Sequence, residues 1–184
     1  QETIRGLADV SFRLRDWAGA LTNYQKVLTA LDESDVEARA DVYYRLGAIK
    51  KEQGQPKQAI NNFEKALGVL SSHRPTLEAL VAIYTELKDW KQVVAYKRQI
   101  LDDIVEGDDR FKMLLEIGDI WADNDKNPGR AIEAFEEAKD LKPTDLPLLN
   151  KLLTLYPQAE MWSKMIDTIQ GIADLEKDTV RKSK

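Results

Sequence analysis

Residues 40–70, ADVYYRLGAIKKEQGQPKQAINNFEKALGVL, decide the fold. In the first part, Val42, Tyr43, Leu46, Gly47 and Ile49 recur at three- and four-residue steps, the period of one helix face. A break follows at Gly54, Gln55 and Pro56, and the stripe then resumes with Ala59, Ile60, Phe63, Ala66, Leu67 and Leu70. Proline suits the first turn of a helix, where its missing N–H is not needed. The stretch therefore reads as two helices joined by a tight turn. No part of the chain shows the sustained alternation or Asn-Gly turn of a strand hairpin.

The pattern recurs along the chain. Units starting near residues 1, 40, 74, 111 and 146 have spacings of 39, 34, 37 and 35 residues. Their seventh residues are Leu7, Leu46, Leu80, Ile117 and Leu152, and their eighth are Ala8, Gly47, Val81, Gly118 and Leu153. The eighth position is mostly small, as two closely crossing helices require. Position seventeen reads Trp17, Pro56, Trp90, Pro128 and Trp162, with one inserted residue allowed in the fourth unit. The second helices then carry Ala20, Ala59, Val93, Ala131 and Met165, followed by Tyr24, Phe63, Lys97, Phe135 and Ile169. A single hairpin cannot bury both of its faces, so neighbouring units must share an apolar seam. Extra residues between the first two units, around Asp32 to Asp35, read as a tolerated insertion.

These residues resemble the tetratricopeptide repeat family, whose helix-turn-helix period is about 34 residues. The second unit (Tyr43, Leu46, Gly47, Ala59, Phe63, Ala66) and the fourth (Ile117, Gly118, Trp121, Ala131, Phe135, Ala138, Pro143) carry the resemblance best. In the other units it is weaker: Lys97 stands where an aromatic is expected. The resemblance implies an all-α, right-handed α-solenoid of about ten antiparallel helices. It spans residues 1–177 as a single array, with 178–184 left as a short basic tail around Arg181, Lys182 and Lys184.

Composition narrows the function. With 32 acidic and 27 basic residues the net charge is −5, which argues against a phosphate-backbone partner and hence against nucleic acid. The absence of cysteine excludes disulfides, thiolate zinc sites and a cysteine nucleophile. No apolar run reaches the ~20 residues of a membrane span, and no signal segment is legible at the start. The chain opens at Gln1 inside a helical pattern, which reads as an excised segment or a processed product.

Candidate chemistry is sparse. His73, the only histidine, follows Ser71 and Ser72 in a turn; without a third group or a second histidine it suggests neither a triad nor a histidine metal site, and an exposed loop residue is expected. Asp123 to Gly129 places oxygens at alternate positions, as a calcium loop does, but Pro128 and Ala134 stand where that motif needs glycine and glutamate. A polar turn with Asn127 capping the next helix is the plainer reading. In the acidic stretch Asp102, Asp103, Glu106, Asp108 and Asp109, one of the last two is expected to cap the helix near Phe111. The four tryptophans, three at one repeat position, are expected to pack. No cofactor and no catalytic constellation is expected.

The resemblance implies that the concave face is formed by the first helix of each unit. Carried over position by position, that face holds Arg5, Asp9, Arg13, Tyr44, Lys51, Glu52, Glu78, Glu86, Leu115, Asp119, Asn150 and Thr154. The lysine and asparagine clamp that some members close on a peptide carboxylate is not reproduced at Arg5, Asp9, Arg45, Pro75 and Ala79. The expected function is a non-catalytic scaffold holding a peptide or partner protein in the groove. The alternative is a self-assembly module packing end to end, with further repeats or copies of itself, through apolar terminal residues such as Met165, Ile166, Ile169 and Ile172.

Overall fold

The structure, a computed structural model, describes the backbone of residues 2–105 and 107–182 and the side chains of 3–105 and 107–177. Ten α-helices are present among the described residues. They are α1 (Glu2–Arg13), α2 (Trp17–Ala30), α3 (Val36–Glu52), α4 (Pro56–Val69), α5 (Arg74–Glu86), α6 (Trp90–Asp102), α7 (Asp108–Asp119), α8 (Pro128–Leu141), α9 (Leu146–Leu155) and α10 (Trp162–Lys182). The fold is the expected all-α array of hairpins. Residues at position seventeen, Trp17, Pro56, Trp90, Pro128 and Trp162, are the first residues of α2, α4, α6, α8 and α10.

Local chemistry sets the helix ends. Asp16, Asp35, Asn127 and Asp145 each accept a hydrogen bond from the backbone N–H three residues on, satisfying a donor the helix leaves unpaired. Pro56, Pro75, Pro128 and Pro147 occupy first turns. Between the helices of every hairpin one residue takes a left-handed conformation, always two before the second helix: Arg15, Gly54, Lys88, Lys126 and Glu160, with φ between 54° and 69°. Only one is glycine, so the other four carry a backbone cost of roughly 1 kcal/mol each.

The chain divides into two compact units, residues 1–100 and 101–184. In the first, α2 packs on α3 and α4 on α5, and the core joins Ala8, Ala20, Tyr24, Val27, Val42, Leu46 and Ile49. A second cluster gathers Ala59, Phe63, Leu80 and Ile83, with the stacked rings of Tyr84 and Tyr96 beside it. In the second unit, α8 packs on both α7 and α9, and Phe135, Ala138, Leu149 and Leu152 are buried. Each unit repeats one close approach. A Cβ on Gly47 would lie 2.6 Å from the Phe63 ring, and one on Gly118 would lie 2.3 Å from the Phe135 ring. The aromatic of the second helix thus sits in the notch that glycine leaves on the first.

Several expectations are corrected. Extra residues between the first two hairpins are not simply loop: α3 starts at Val36, capped by Asp35, and lengthens to 17 residues. The inserted residue of the fourth hairpin is absorbed in a π-helical segment, Ile120–Asn124, where Asp125 N–H bonds to Ile120 C=O at 3.1 Å. Neither Asp108 nor Asp109 caps α7. Gly107, at φ 100°, holds that place because the backbone there is left-handed, and the two carboxylates sit in the first turn, near the positive end of the helix. Glu106, Ser183 and Lys184 lie outside the described residues, as do the side chains of Arg181 and Lys182. The backbone of α10 runs through Lys182, past the expected start of the tail.

Candidate functional site

In the first unit the C-terminal end of α1, the start of α2, and α3, α4 and α5 surround a hollow of about 590 Å3. Its floor is aromatic. Phe12 and Trp17 meet edge to face at 5.6 Å between centroids, and Tyr44 lies 5.8 Å from Phe63. Arg45 stacks over Phe12 at 5.6 Å and over Tyr44 at 5.8 Å, fixing both rings from one side. Ala48, Pro75 and Ala79 keep the opening wide because they are short. Arg13, Arg15, Glu52 and Glu78 also line it. Neither arginine enters an ion pair among the described residues, whereas Glu78 is held by Arg74 at 2.7 Å and Lys51 by Glu86 at 3.2 Å.

Of the expected groove residues, the structure brings Arg13, Tyr44, Lys51, Glu52 and Glu78 together in this hollow, with Glu86 at its edge through Lys51. Arg5 and Asp9 do not join them. Arg5 bonds to Asp41 at 2.7 Å and faces a separate polar hollow with His73 and Arg74. Asp9 accepts a hydrogen bond from the Tyr24 hydroxyl at 2.5 Å. Burial of the Tyr24 hydroxyl and its bond to Asp9 push its pKa far above the ordinary tyrosine value. In the second unit, Asp119 and Thr154 line a smaller hollow of about 430 Å3 with Phe135 and Lys151. There Lys151 lies over the Phe135 ring, 5.4 Å from its centroid, and is ion-paired with Asp119. Leu115 is half-buried and Asn150 exposed, and neither lines that hollow.

The sequence reading missed Phe12, Trp17, Phe63, Arg15 and the two alanines. A signal was available: counted within the repeat, Ala48 and Ala79 hold the places of Asp119 and Lys151. His73 is not an exposed loop residue. It precedes α5, its Nδ1 lies 2.7 Å from the buried Thr76 hydroxyl, and its ring lies 5.9 Å from that of Tyr44. Partial burial lowers its pKa below 6.5. Asn127 caps α8 as expected. Among the described residues, no cluster of three or more histidine, aspartate or glutamate side chains is placed to hold a metal ion. Trp121 is buried and Trp17 half-buried, but Trp162 is largely exposed, against expectation. No described helix is long and apolar enough to cross a membrane.

Such hairpins, with small residues at the crossing and an aromatic in the notch, define a helical-repeat protein. The tetratricopeptide repeat family model matches residues 1–72, which establishes the resemblance read from the sequence. Protein CTR9 homolog from Arabidopsis thaliana is 25% identical over 134 residues, covering 70% of this chain. The chain spans 12% of that relative's length. Among solved structures, MamA 41-end from Desulfovibrio magneticus RS-1 is similar at a TM-score of 0.54, with 17% identity, over 96% of this chain and 95% of that one. BtubC (BKLC) from P. vanneervenii is similar at 0.53, with 18% identity, over 97% and 80%. At these identities the likeness is one of fold. A fold of this type supports a protein-interaction scaffold in general terms.

Proposed function

We propose that the chain is a non-catalytic scaffold and that the hollow of its first unit is where it holds a partner. One observation carries the reading: the half-buried rings of Phe12, Trp17 and Tyr44 line the hollow over the buried Phe63, beside two arginines that enter no ion pair among the described residues. Rigid aromatic side chains supply contact area at little entropic cost, and an arginine without a partner favours a carboxylate. The occupant that fits is a peptide segment placing an apolar or aromatic side chain on the floor and an acidic residue against Arg13 and Arg15. Glu52 favours a basic residue elsewhere on the segment. Tyr44 and Lys51 also line the hollow and contact the segment.

The test is a library of extended peptides screened by the fluorescence of Trp17, with Trp17→Phe as the control that removes the local signal. Binders are expected to combine an acidic residue with an aromatic or large aliphatic one. Arg13→Glu together with Arg15→Glu is expected to weaken them roughly tenfold or more. Binders unaffected by that double substitution, or binders without acidic residues, would sink the reading.

End-to-end packing is a second reading, favoured by a separate observation: exposed apolar side chains lie at helical spacing on both α1 and α10.

A further inference from the structure

We infer that Arg45 is a specificity-determining residue of the first unit's hollow: placed against the aromatic rings, it keeps cationic side chains off them and reserves them for uncharged apolar ones. The inference rests on the reading of that hollow as the partner site and adds to it a rule for what is refused there.

Arg45 does not itself line the hollow, yet it meets two of the rings that do. Its guanidinium carbon lies 5.6 Å from the centroid of Phe12 and 5.8 Å from that of Tyr44, within the reach of cation–π attraction. Its polar contacts are poor by comparison. The Asp41 carboxylate, one helical turn back, stands 3.9 Å from Nε, beyond hydrogen-bond distance, and makes its 2.7 Å contact with Arg5 instead. Nε is buried and has no hydrogen-bond partner among the described residues. A buried donor left unpaired costs stability, so hydrogen bonding does not account for this placement. The rings do.

Aromatic rings gathered round a hollow ordinarily attract a cation, because the face of each ring is negative. Here one cation is already in place over Phe12 and Tyr44. Its charge is only partly offset, since Asp41 is shared with Arg5. A second cation brought onto the same rings meets that charge at close range, in a half-buried setting where water and salt screen it less than in bulk. Arg13 and Arg15 add positive charge to the lining. A lysine or a methylated ammonium group therefore gains little from the rings and is repelled, whereas an uncharged aromatic or aliphatic side chain bears no such cost. Discrimination of this kind comes from a charge set against the wrong partner as much as from contacts with the right one.

Twin peptides test this on the 184-residue chain by titration calorimetry. One is an acidic peptide with an aromatic residue, selected on wild type; the other carries lysine at that aromatic position and is otherwise identical. Wild type is expected to prefer the aromatic twin. Arg45→Met, similar in length but uncharged, is expected to shrink that preference roughly tenfold or more, chiefly by tightening the lysine twin. Arg45→Lys keeps the charge and is expected to keep the preference. Because both twins share the acidic residue, the ratio of their affinities isolates the rings. Circular dichroism checks that each variant remains helical, and Arg45→Gln replaces Arg45→Met if that one does not. A ratio that Arg45→Met leaves unchanged, including an equal loss of both twins, makes Arg45 a packing residue and overturns the inference while the partner site stands. Failure of Arg13→Glu with Arg15→Glu to weaken the aromatic twin, or a wild type that binds neither twin, overturns the reading of the hollow and the inference with it.

Discussion

Phe63 in the first unit and Phe135 in the second occupy the same repeat position and the same glycine notch, yet they meet different surroundings. Beside Phe63 the chain places Ala48 and Ala79, and the hollow stays open above Tyr44. Beside Phe135 it places Asp119 and Lys151, whose ion pair spans the ring. The backbone plan is shared and both rings are buried, and two side chains decide whether alanines or an ion pair border the hollow beside the ring.

Breaking the shared part should have the largest effect. Phe63→Ala and Phe135→Ala are each expected to cost ~3–5 kcal/mol in chemical denaturation, because both leave a cavity against buried neighbours. Nearest-neighbour stability in repeat arrays predicts that each substitution chiefly loosens its own unit, which hydrogen exchange resolves. A marked difference between the two would mean that the notch is not equivalent in both units.

The units also share a buried tyrosine bonded to a carboxylate. Tyr24 donates to Asp9 at 2.5 Å, and Tyr156 donates to Glu136 at 2.6 Å. Tyr24→Phe and Tyr156→Phe are expected to lower stability by ~1.5–3 kcal/mol each, the range for hydrogen bonds to a charged group. Glu136 also meets Lys139 at 3.4 Å and Lys164 at 3.2 Å. It therefore keeps partners when Tyr156 is removed, and the second unit should show the smaller loss.

Acid should separate the units by a smaller margin. Burial lowers the pKa of His73 below 6.5, so the folded first unit prefers the neutral ring. The unfolded chain then binds more protons, and stability falls as pH drops through the ordinary histidine range. Burial of Glu136 raises its pKa, but the Tyr156 hydroxyl, Lys139 and Lys164 outweigh this and hold it below 4.5. Its contribution is present above the ordinary glutamate range and is lost only as pH falls through the depressed value. Thermal midpoints measured from pH 7.5 to 5.5 should therefore fall less in His73→Asn than in wild type. Those of Glu136→Gln should differ in slope from wild type only at lower pH.

The hairpin plan was legible because it rests on spacing. Leucine at the seventh position, a small residue at the eighth and proline or tryptophan at the seventeenth follow directly from helix crossings and first turns. The turn conformations were harder to read, since Arg15, Lys88, Lys126 and Glu160 adopt left-handed backbone without being glycine. The site was half legible. Arg13, Tyr44, Lys51 and Glu78 follow from repeat position, but Arg5 and Asp9 occupy equivalent positions and are turned aside by Asp41 and Tyr24. Such pairings depend on neighbours in three dimensions. Trp17 was assigned to packing, and it does pack on Phe12, which the sequence reading did not single out, while both also line the hollow.

The most direct measurement exchanges the two side chains that distinguish the hollows. Ala48→Asp with Ala79→Lys builds the ion pair of the second unit into the first, at a stability change of under ~1 kcal/mol for an exposed pair. Peptides selected on wild type should then lose their binding to a chain that remains folded. Undiminished affinity in the substituted chain would contradict the assignment of this hollow as the partner site.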